Sequence, residues 1–374
     1  MQLAFEPTGT PDAFATALER LAVQDTIQAV LVLGCDANGW QPQDVDELIQ
    51  NASISVFGGI FPQIAYQGRS AERGTLLIGI TQQVDIGVVE GLSDAETVFE
   101  HTLDEWVQTW PLTEPKRTHI VLVDGLASRI SELIESLFFT FGVEHNLIGG
   151  GAGSLSFEQR PCIITPQGLR QDVALIASLP VASYIGMAHG WASISESVVV
   201  TSSTRNVIKS IDWQPAAEVY RTLIRSHSGI EIPADDFFSV AKSYPLGIAK
   251  LGTEMVVRDP LMMTEAGELV CVGEVPEGCS VRLLHGKPDM LIAAAHNAAE
   301  QALTTAPSGS YPHRFMIDCI SRVLFLGDDL YRELDAVSRD TPVFGAFTLG
   351  EIANSGSDYL EFYNKTIVLA LLDS

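Results

Sequence analysis

The residues best placed by type to meet a ligand begin with Gly150, Gly151, Ala152 and Gly153, in the run Asn146-Leu147-Ile148-Gly149-Gly150-Gly151-Ala152-Gly153-Ser154. Lacking Cβ atoms, glycines let a loop turn sharply and let another group approach the backbone. Successive N–H groups can then form a nest for an anion. The same composition fits a tight strand-to-loop turn packed under a helix. Arg322 carries a planar guanidinium that can clamp a carboxylate through two hydrogen bonds. Glu351 is the only acid inside the glycine loops and could receive an ammonium group. Together they would complement the two charges of an amino acid, or they could satisfy each other as an internal ion pair.

Cys319 ends an apolar strand, a place where α/β sites often put functional groups. It could act as a thiol sensor or nucleophile given access and a lowered pKa, or lie buried and inert. His189 follows another apolar strand, with Trp191 beside it as an aromatic wall. Its imidazole could meet a ligand, hold a metal, ligate haem iron, or bond the backbone in a structural role. Lys287 and Lys365 read as solvated charges.

Several chemistries lack their residues. The cysteines (Cys35, Cys162, Cys271, Cys279 and Cys319) show no C-x-x-C spacing, against a zinc ribbon or thioredoxin chemistry. The histidines show neither H-x-x-x-H nor H-E-x-x-H spacing, against a zinc enzyme. There is no G-x-S-x-G elbow, and the glycine run lacks the Lys-Ser/Thr of a P-loop. At dinucleotide-fingerprint spacing, Ser154 stands where Gly or Ala is expected.

Elements that could position these residues recur in a fixed order. A helix over Pro11 to Val23, with Thr10 as N-cap and Pro11 at N1, precedes a buried strand over Ala29 to Gly34. A helix over Gln43 to Asn51, a glycine-ended strand over Ile54 to Gly59 and a strand over Thr75 to Ile80 follow. The second copy runs from a helix over Asp94 to Trp110, with Ser93 and Glu96 as a capping box. It continues through the strand His119 to Asp124, the helix Ser131 to Phe141, the glycine strand and the strand Asp172 to Leu179. The third holds an Ala-rich helix from Asp289 to Leu303, the strand Arg314 to Cys319, the helix Leu330 to Val337, and strands at Pro342 to Gly345 and Thr366 to Leu372. First strand and glycine strand are about 25 to 28 residues apart in all copies, the mark of internal duplication. The expected fold is therefore α/β, a two-half layered structure with mixed sheets built from repeated α-β-α-β-β units. Residues 195–284, between the second and third copies, read as short strands and one helix, a possible fourth, degenerate unit. The stretch Val173 to Trp191 reads as two buried strands joined by a turn. A boundary is expected near residues 205–225, between domains over 1–215 and 216–374.

The 374-residue chain has room for a large core. Its net charge of −25 repels phosphate backbones and anionic lipid, so no nucleic acid and no membrane partner is expected. The N-terminus lacks the basic and apolar regions of a signal peptide, and an odd cysteine count suggests free thiols in a reducing cytoplasm.

Two sets of residues carry a family resemblance. His189-Gly190-Trp191 through Ile211-Asp212-Trp213-Gln214-Pro215-Ala216, with the Gly149 to Ser154 loop, resembles the FIST N region. Tyr244-Pro245-Leu246-Gly247, Val257-Arg258, Asp318-Cys319-Ile320-Ser321-Arg322, Phe347-Thr348-Leu349-Gly350-Glu351-Ile352 and Tyr363-Asn364-Lys365-Thr366 resemble FIST C. The resemblance implies an intracellular sensory module that binds a small ligand such as an amino acid or related metabolite. For some members it implies haem and nitric oxide sensing, so haem is the alternative cofactor and none is otherwise required. The first glycine loop departs from the pattern, reading Phe57-Gly58-Gly59-Ile60-Phe61-Pro62 in place of a Gly-Glu-Ile-type ending. The length leaves no room for a fused kinase or cyclase, so output is expected through a separate signalling partner protein. An enzyme using Cys319 or His189 is the remaining alternative.

Overall fold

The computed structural model describes residues 1–112, 117–143, 145–233, 236–249, 255–309, 311–354 and 359–373. The repeats read from the sequence are present as units with an equivalent order of elements. Each unit begins with an edge strand (Gln2–Glu6, Asp85–Glu90 or Ala182–Ala188); the helix-first reading omitted the first two and left the third outside its unit. A helix follows (Pro11–Ala22, Phe99–Thr109 or Pro288–Thr305), then a central strand (Ala29–Cys35, Thr118–Asp124 or His313–Cys319). Further helices lead to the glycine strand (Ser55–Phe61, Asn146–Ala152 or Phe344–Thr348), a hairpin, and a last strand (Thr75–Ile80, Val173–Leu179 or Ile367–Asp373).

Each unit contributes to a six-stranded sheet in which central and glycine strands pair in parallel and the other neighbours pair antiparallel. The hairpins are exchanged in a ring. The hairpin of the first unit, Gln63–Tyr66 with Arg69–Ala71, extends the sheet of the third. That of the second, Ile163–Thr165 with Gly168–Arg170, extends the first. That of the third, Glu351–Ala353 with Glu361–Tyr363, extends the second. The arrangement has the connectivity of a pseudo-threefold closed ring.

Alternation along the strands explains the layers. Successive side chains of a strand point to opposite faces. Ile120 and Leu122 join Phe57, Phe315 and Ile317 in a core shared by all three sheets. Val121 and Val123 point the other way, under Leu103, Leu133 and Leu137 of the second unit's helices. The third unit repeats this, with Met316 and Leu369 under the Ala-rich helix Pro288–Thr305. Small residues let that helix lie close to its sheet: a Cβ on Gly186 would stand 1.9 Å from the carbonyl oxygen of Ala298.

The glycine strands share one steric demand. A Cβ at Gly58 would meet the carbonyl oxygen of Val32 at 1.8 Å, at Gly149 that of Val121 at 1.7 Å, and at Gly345 that of Met316 at 1.7 Å. In every case the carbonyl belongs to the residue registered beside the glycine on the parallel neighbour. The recurring glycine is thus required by backbone packing.

Residues 189–287 lie between the edge strand and first helix of the third unit. They form an eight-stranded sheet, with the helices Ala216–Ser228 and Phe237–Ala241. All its described pairings are antiparallel, so it is no degenerate fourth copy, which would need a parallel central pair. Val173–Leu179 and Ala182–Ala188 are the two strands read in the stretch Val173 to Trp191, and they pair in different sheets. One local expectation fails. The helix expected from Asp94 starts at Phe99 with Val98 as N-cap. The Ser93 N–H donates to Asp172 and its hydroxyl accepts from the Ser128 N–H, so no capping box forms.

Candidate functional site

A cavity of about 250 Å³ opens at the C-terminal end of the central strands of units two and three, where the inserted sheet meets them. The second unit supplies Gly125 to Ser128, Ile130 and Ser131, the third Cys319 to Ser321 and Leu324 with Leu349 and Gly350, and the inserted sheet Asn206, Asp259 and Cys271 to Glu274. The C-terminal edges of strands in α/β sheets are the usual place for a ligand because loops and helix starts converge there. Arg205 ties two walls together, donating from Nη1 to the Ser128 carbonyl at 2.8 Å. Arg258 ties two more, donating to the carbonyls of Glu274 at 2.7 Å and Phe362 at 2.9 Å. Burial lowers the Arg258 pKa to about 10.

Two polar residues among the cavity lining are deeply buried. Asp259 is 2% exposed and Asn364 1% exposed. Asp259 Oδ2 lies 3.0 Å from Lys365 Nζ, while Oδ1 has no hydrogen-bond partner. Neither the oxygen nor the nitrogen of the Asn364 carboxamide has one. Buried polar atoms are nearly always paired, so three orphans from two residues of one cavity wall mark a place built for something polar. Cys319 and Ser321 lie beside them, Sγ and Oγ 3.0 Å apart.

Lys365 is no solvated charge. It is fully buried, 4.7 Å over the Trp191 ring, and donates to the Lys242 carbonyl at 2.9 Å. Its positive φ of 55° turns the chain so that Asn364 and Lys365 can serve neighbouring pockets of polarity.

Of the residues singled out in the sequence, Cys319 lines the cavity. Burial pushes its thiol well up, with Glu351 adding to the effect, the opposite of an activated nucleophile. Arg322 lies behind the wall, fully buried and saturated. Its guanidinium pairs with Glu333 and lies 3.2 Å from Asp318. It also donates to the carbonyls of His189, Leu291 and Lys365. No donor is left to clamp a ligand carboxylate. The internal ion pair is real, but its partner is Glu333 and not Glu351. Glu351 is buried and accepts from Thr348 Oγ1 at 3.0 Å and the Thr366 N–H at 3.2 Å. Burial raises its carboxyl to about 8.

The glycine run lies off the cavity wall, with much of its backbone bonding internal. The N–H of Gly151 donates to the Gly350 carbonyl at 2.9 Å and that of Gly153 to the Ile60 carbonyl at 2.8 Å. Gly150 is registered with Glu351, and the Ala152 carbonyl accepts from the Gly125 N–H. The run is a junction of the three units rather than an open anion nest. His189 is also off the cavity wall; its Nδ1 accepts from the Trp191 N–H at 2.9 Å. Burial lowers its pKa to about 4, with Arg322 contributing. Trp191 is buried against Phe325. Among the described residues no histidine lines the cavity, so a histidine-ligated haem finds no axial ligand there.

Asp259, Asn364, Asn206 and the Gly125 to Ser131 loop were not anticipated. Asp259 carried a signal: Arg258-Asp259 interrupts the apolar strand Val256–Met263, and adjacent charges in a buried strand need buried partners. Asn364 carried one only as part of the stretch Tyr363 to Thr366 that resembles FIST C, and the loop carried none, since polar residues in turns are ordinary.

No curated protein matches this chain. A FIST N domain model matches residues 17–214 and a FIST C domain model residues 216–354. Three of the five stretches resembling FIST C reach the cavity, which Cys319, Ser321, Leu349, Gly350 and Asn364 all line. The chain belongs to the FIST family, whose domains are sensory modules of signal transduction.

Proposed function

We propose that this protein senses a small molecule held in the cavity between the inserted sheet and units two and three, and reports its presence to a separate partner protein. The observation that carries the reading is the wall that includes Asp259 and Asn364, where Asp259 Oδ1 and both polar atoms of the Asn364 carboxamide lack hydrogen-bond partners. Apolar side chains of Leu126, Ile130, Phe238 and Leu324 complete a mostly apolar pocket with few fixed polar groups, the usual anatomy of a small-molecule site.

The position suits a sensor. A ligand touching three separate parts of the chain binds best when those parts stand in one arrangement, and binding shifts the population toward it. The inserted sheet would move relative to the repeat body, and that change would be read by the partner.

The test is a thermal-shift screen of amino acids and related metabolites against the wild-type protein and Leu324→Trp, which fills the cavity from its half-open side. A ligand that binds only the native state raises the melting temperature. The expected result is a stabilising metabolite whose effect disappears in Leu324→Trp. A shift that persists unchanged in that variant would move the site elsewhere.

A further inference from the structure

We infer that the cavity takes an uncharged ligand bearing a primary-amide or similar donor–acceptor edge, read by the Asn364 carboxamide and Asp259 Oδ1. The inference rests on the cavity being the ligand site and goes on to name the chemistry of its occupant.

The first argument is a count of unfilled hydrogen bonds. Asn364 offers one carbonyl oxygen and one NH2 group, and both atoms are buried and without partners. Asp259 offers one such oxygen. The wall therefore presents two acceptors in need of N–H or O–H groups and one donor group in need of an acceptor. A primary carboxamide carries two N–H bonds and one carbonyl oxygen, which is the complementary set. A carboxylate has no hydrogen to give, and an ammonium no oxygen to receive the Asn364 NH2. Exchanging the Asn364 oxygen and nitrogen changes the orientation of the ligand but not this count.

The second argument is charge. The Asp259 carboxylate is balanced by Lys365 at 3.0 Å. Lys365 is also committed to the Lys242 carbonyl and the Trp191 ring. Arg258 spends Nε and Nη1 on the carbonyls of Glu274, Val257 and Phe362. An anionic ligand would face Asp259 and Glu274 with these buried cations already engaged, and among the described lining residues Arg205, at the exposed rim, is the one remaining cation. A cationic ligand would displace one side of the Asp259–Lys365 balance. An uncharged ligand disturbs neither, and burying a charge without a partner is the costlier course.

The rest of the pocket limits size. About 250 Å³ lined by Leu126, Ile130, Phe238, Leu324 and Phe362 suits an amide on one compact apolar group.

The experiment uses the full chain and matched probes of different charge: benzamide, benzoate and benzylamine, with propionamide as a smaller amide. Binding is followed by calorimetry and ligand-observed NMR, in the wild type, in Asn364→Asp and in Leu324→Trp. Benzamide is expected to bind the wild type roughly tenfold or more tightly than benzoate or benzylamine, because the charged probes leave buried polar atoms unpaired. Asn364→Asp replaces the NH2 donor with oxygen and is expected to remove that preference. Leu324→Trp is expected to abolish all binding. The ranking in the wild type stands alone should Asn364→Asp fail to fold. If benzoate or benzylamine ranks first and Leu324→Trp abolishes it, the amide class is overturned while the cavity remains the ligand site. If binding survives Leu324→Trp, or none of the four probes binds at about 10 mM, the inference and the cavity reading fall together.

Discussion

Asp259 on the inserted sheet and Lys365 on the repeat body face each other at 3.0 Å, both withdrawn from solvent. The pair fastens the two parts of the molecule beside the cavity. Removing one member of such a pair leaves the other charge buried alone, at a cost of about 3–5 kcal/mol. Lys365→Met is expected to lose stability of that order in urea unfolding. The double variant Lys365→Met with Asp259→Leu should recover much of it. A single variant within about 1 kcal/mol of wild type would mean the pair is weaker than its burial implies.

Glu351 should make the protein less stable as pH rises. Its carboxyl is held at about 8 by burial, against 4.5 for the free group. A folded pKa above the unfolded one means that the native state keeps a proton that the unfolded chain gives up. The contribution is full below pH 4.5 and declines toward pH 8, by at most about 1.4 kcal/mol per pH unit. Asp318 and Glu333, also raised by burial, add slopes of the same sign. Glu351→Gln should flatten the curve between pH 5 and 8, and an unchanged slope in unfolding measured at several pH values would contradict the assignment.

His119 acts in the opposite direction. The ring is packed 4.3 Å from that of Phe141, and neither nitrogen has a hydrogen-bond partner. Burial holds its pKa at about 3, with the His145 and Arg117 charges adding to the shift. The native state therefore refuses a proton that the unfolded chain accepts below about 6.5. This contribution is present above pH 6.5 and lost as pH falls toward 3. His119→Phe keeps the stacking and removes the titration, so the variant should gain on the wild type at pH 5 relative to pH 8. Parallel acid limbs for the two proteins would refute this.

Gly149→Ala is expected to be severe. Its Cβ would sit 1.7 Å from the Val121 carbonyl oxygen, so the parallel pair must separate, with a loss above about 3 kcal/mol. Gly39→Ala is the control. It meets nothing within 4 Å and suffers only its φ of +73°, about 1 kcal/mol. Equal losses in the two variants, measured by denaturation, would dismiss the steric account.

Cys279 should be the first thiol to react with a maleimide in the native protein. It is the one partly exposed cysteine, while Cys35, Cys162, Cys271 and Cys319 are buried. Burial also pushes Cys35 and Cys271 to about 12, so they are poorly ionised as well as shielded. Mass mapping of the first adduct decides it; early labelling of Cys319 would restore it as a candidate sensor thiol.

The central strands and helices were legible because each repeats a local signal. Val30 to Leu33 reads as a buried strand, and Thr10-Pro11 starts a helix whose Phe14, Leu18 and Leu21 are buried. The hairpins and the edge strands Gln2–Glu6 and Asp85–Glu90 were not, because short strands such as Ile163–Thr165 owe their conformation to a partner from another unit. The glycine run was legible as a feature but not as to its purpose. An exposed anion nest and a close backbone crossing require the same residue, and the Val121 carbonyl that decides between them is distant in sequence. Arg322 followed the same pattern. A guanidinium at a strand end suggests a ligand clamp, but Glu333, eleven positions on, claims it first. The cavity depends on contacts between three parts of the chain, which local patterns do not record.

The ring of exchanged hairpins also governs the order in which the protein can be made. The ribosome releases Gln63–Tyr66 early, yet its place is beside Phe344–Thr348, among the last strands to emerge. The edge strand Ala182–Ala188 likewise waits for Ile367–Asp373. During synthesis the nascent chain therefore holds strands with unpaired edges, the kind of surface that invites association between chains. A chain stopped before Ile367–Asp373 lacks more than that strand: it leaves the earlier edge strand Ala182–Ala188 without its neighbour, and one stopped before Phe344–Thr348 leaves an early hairpin without a seat as well.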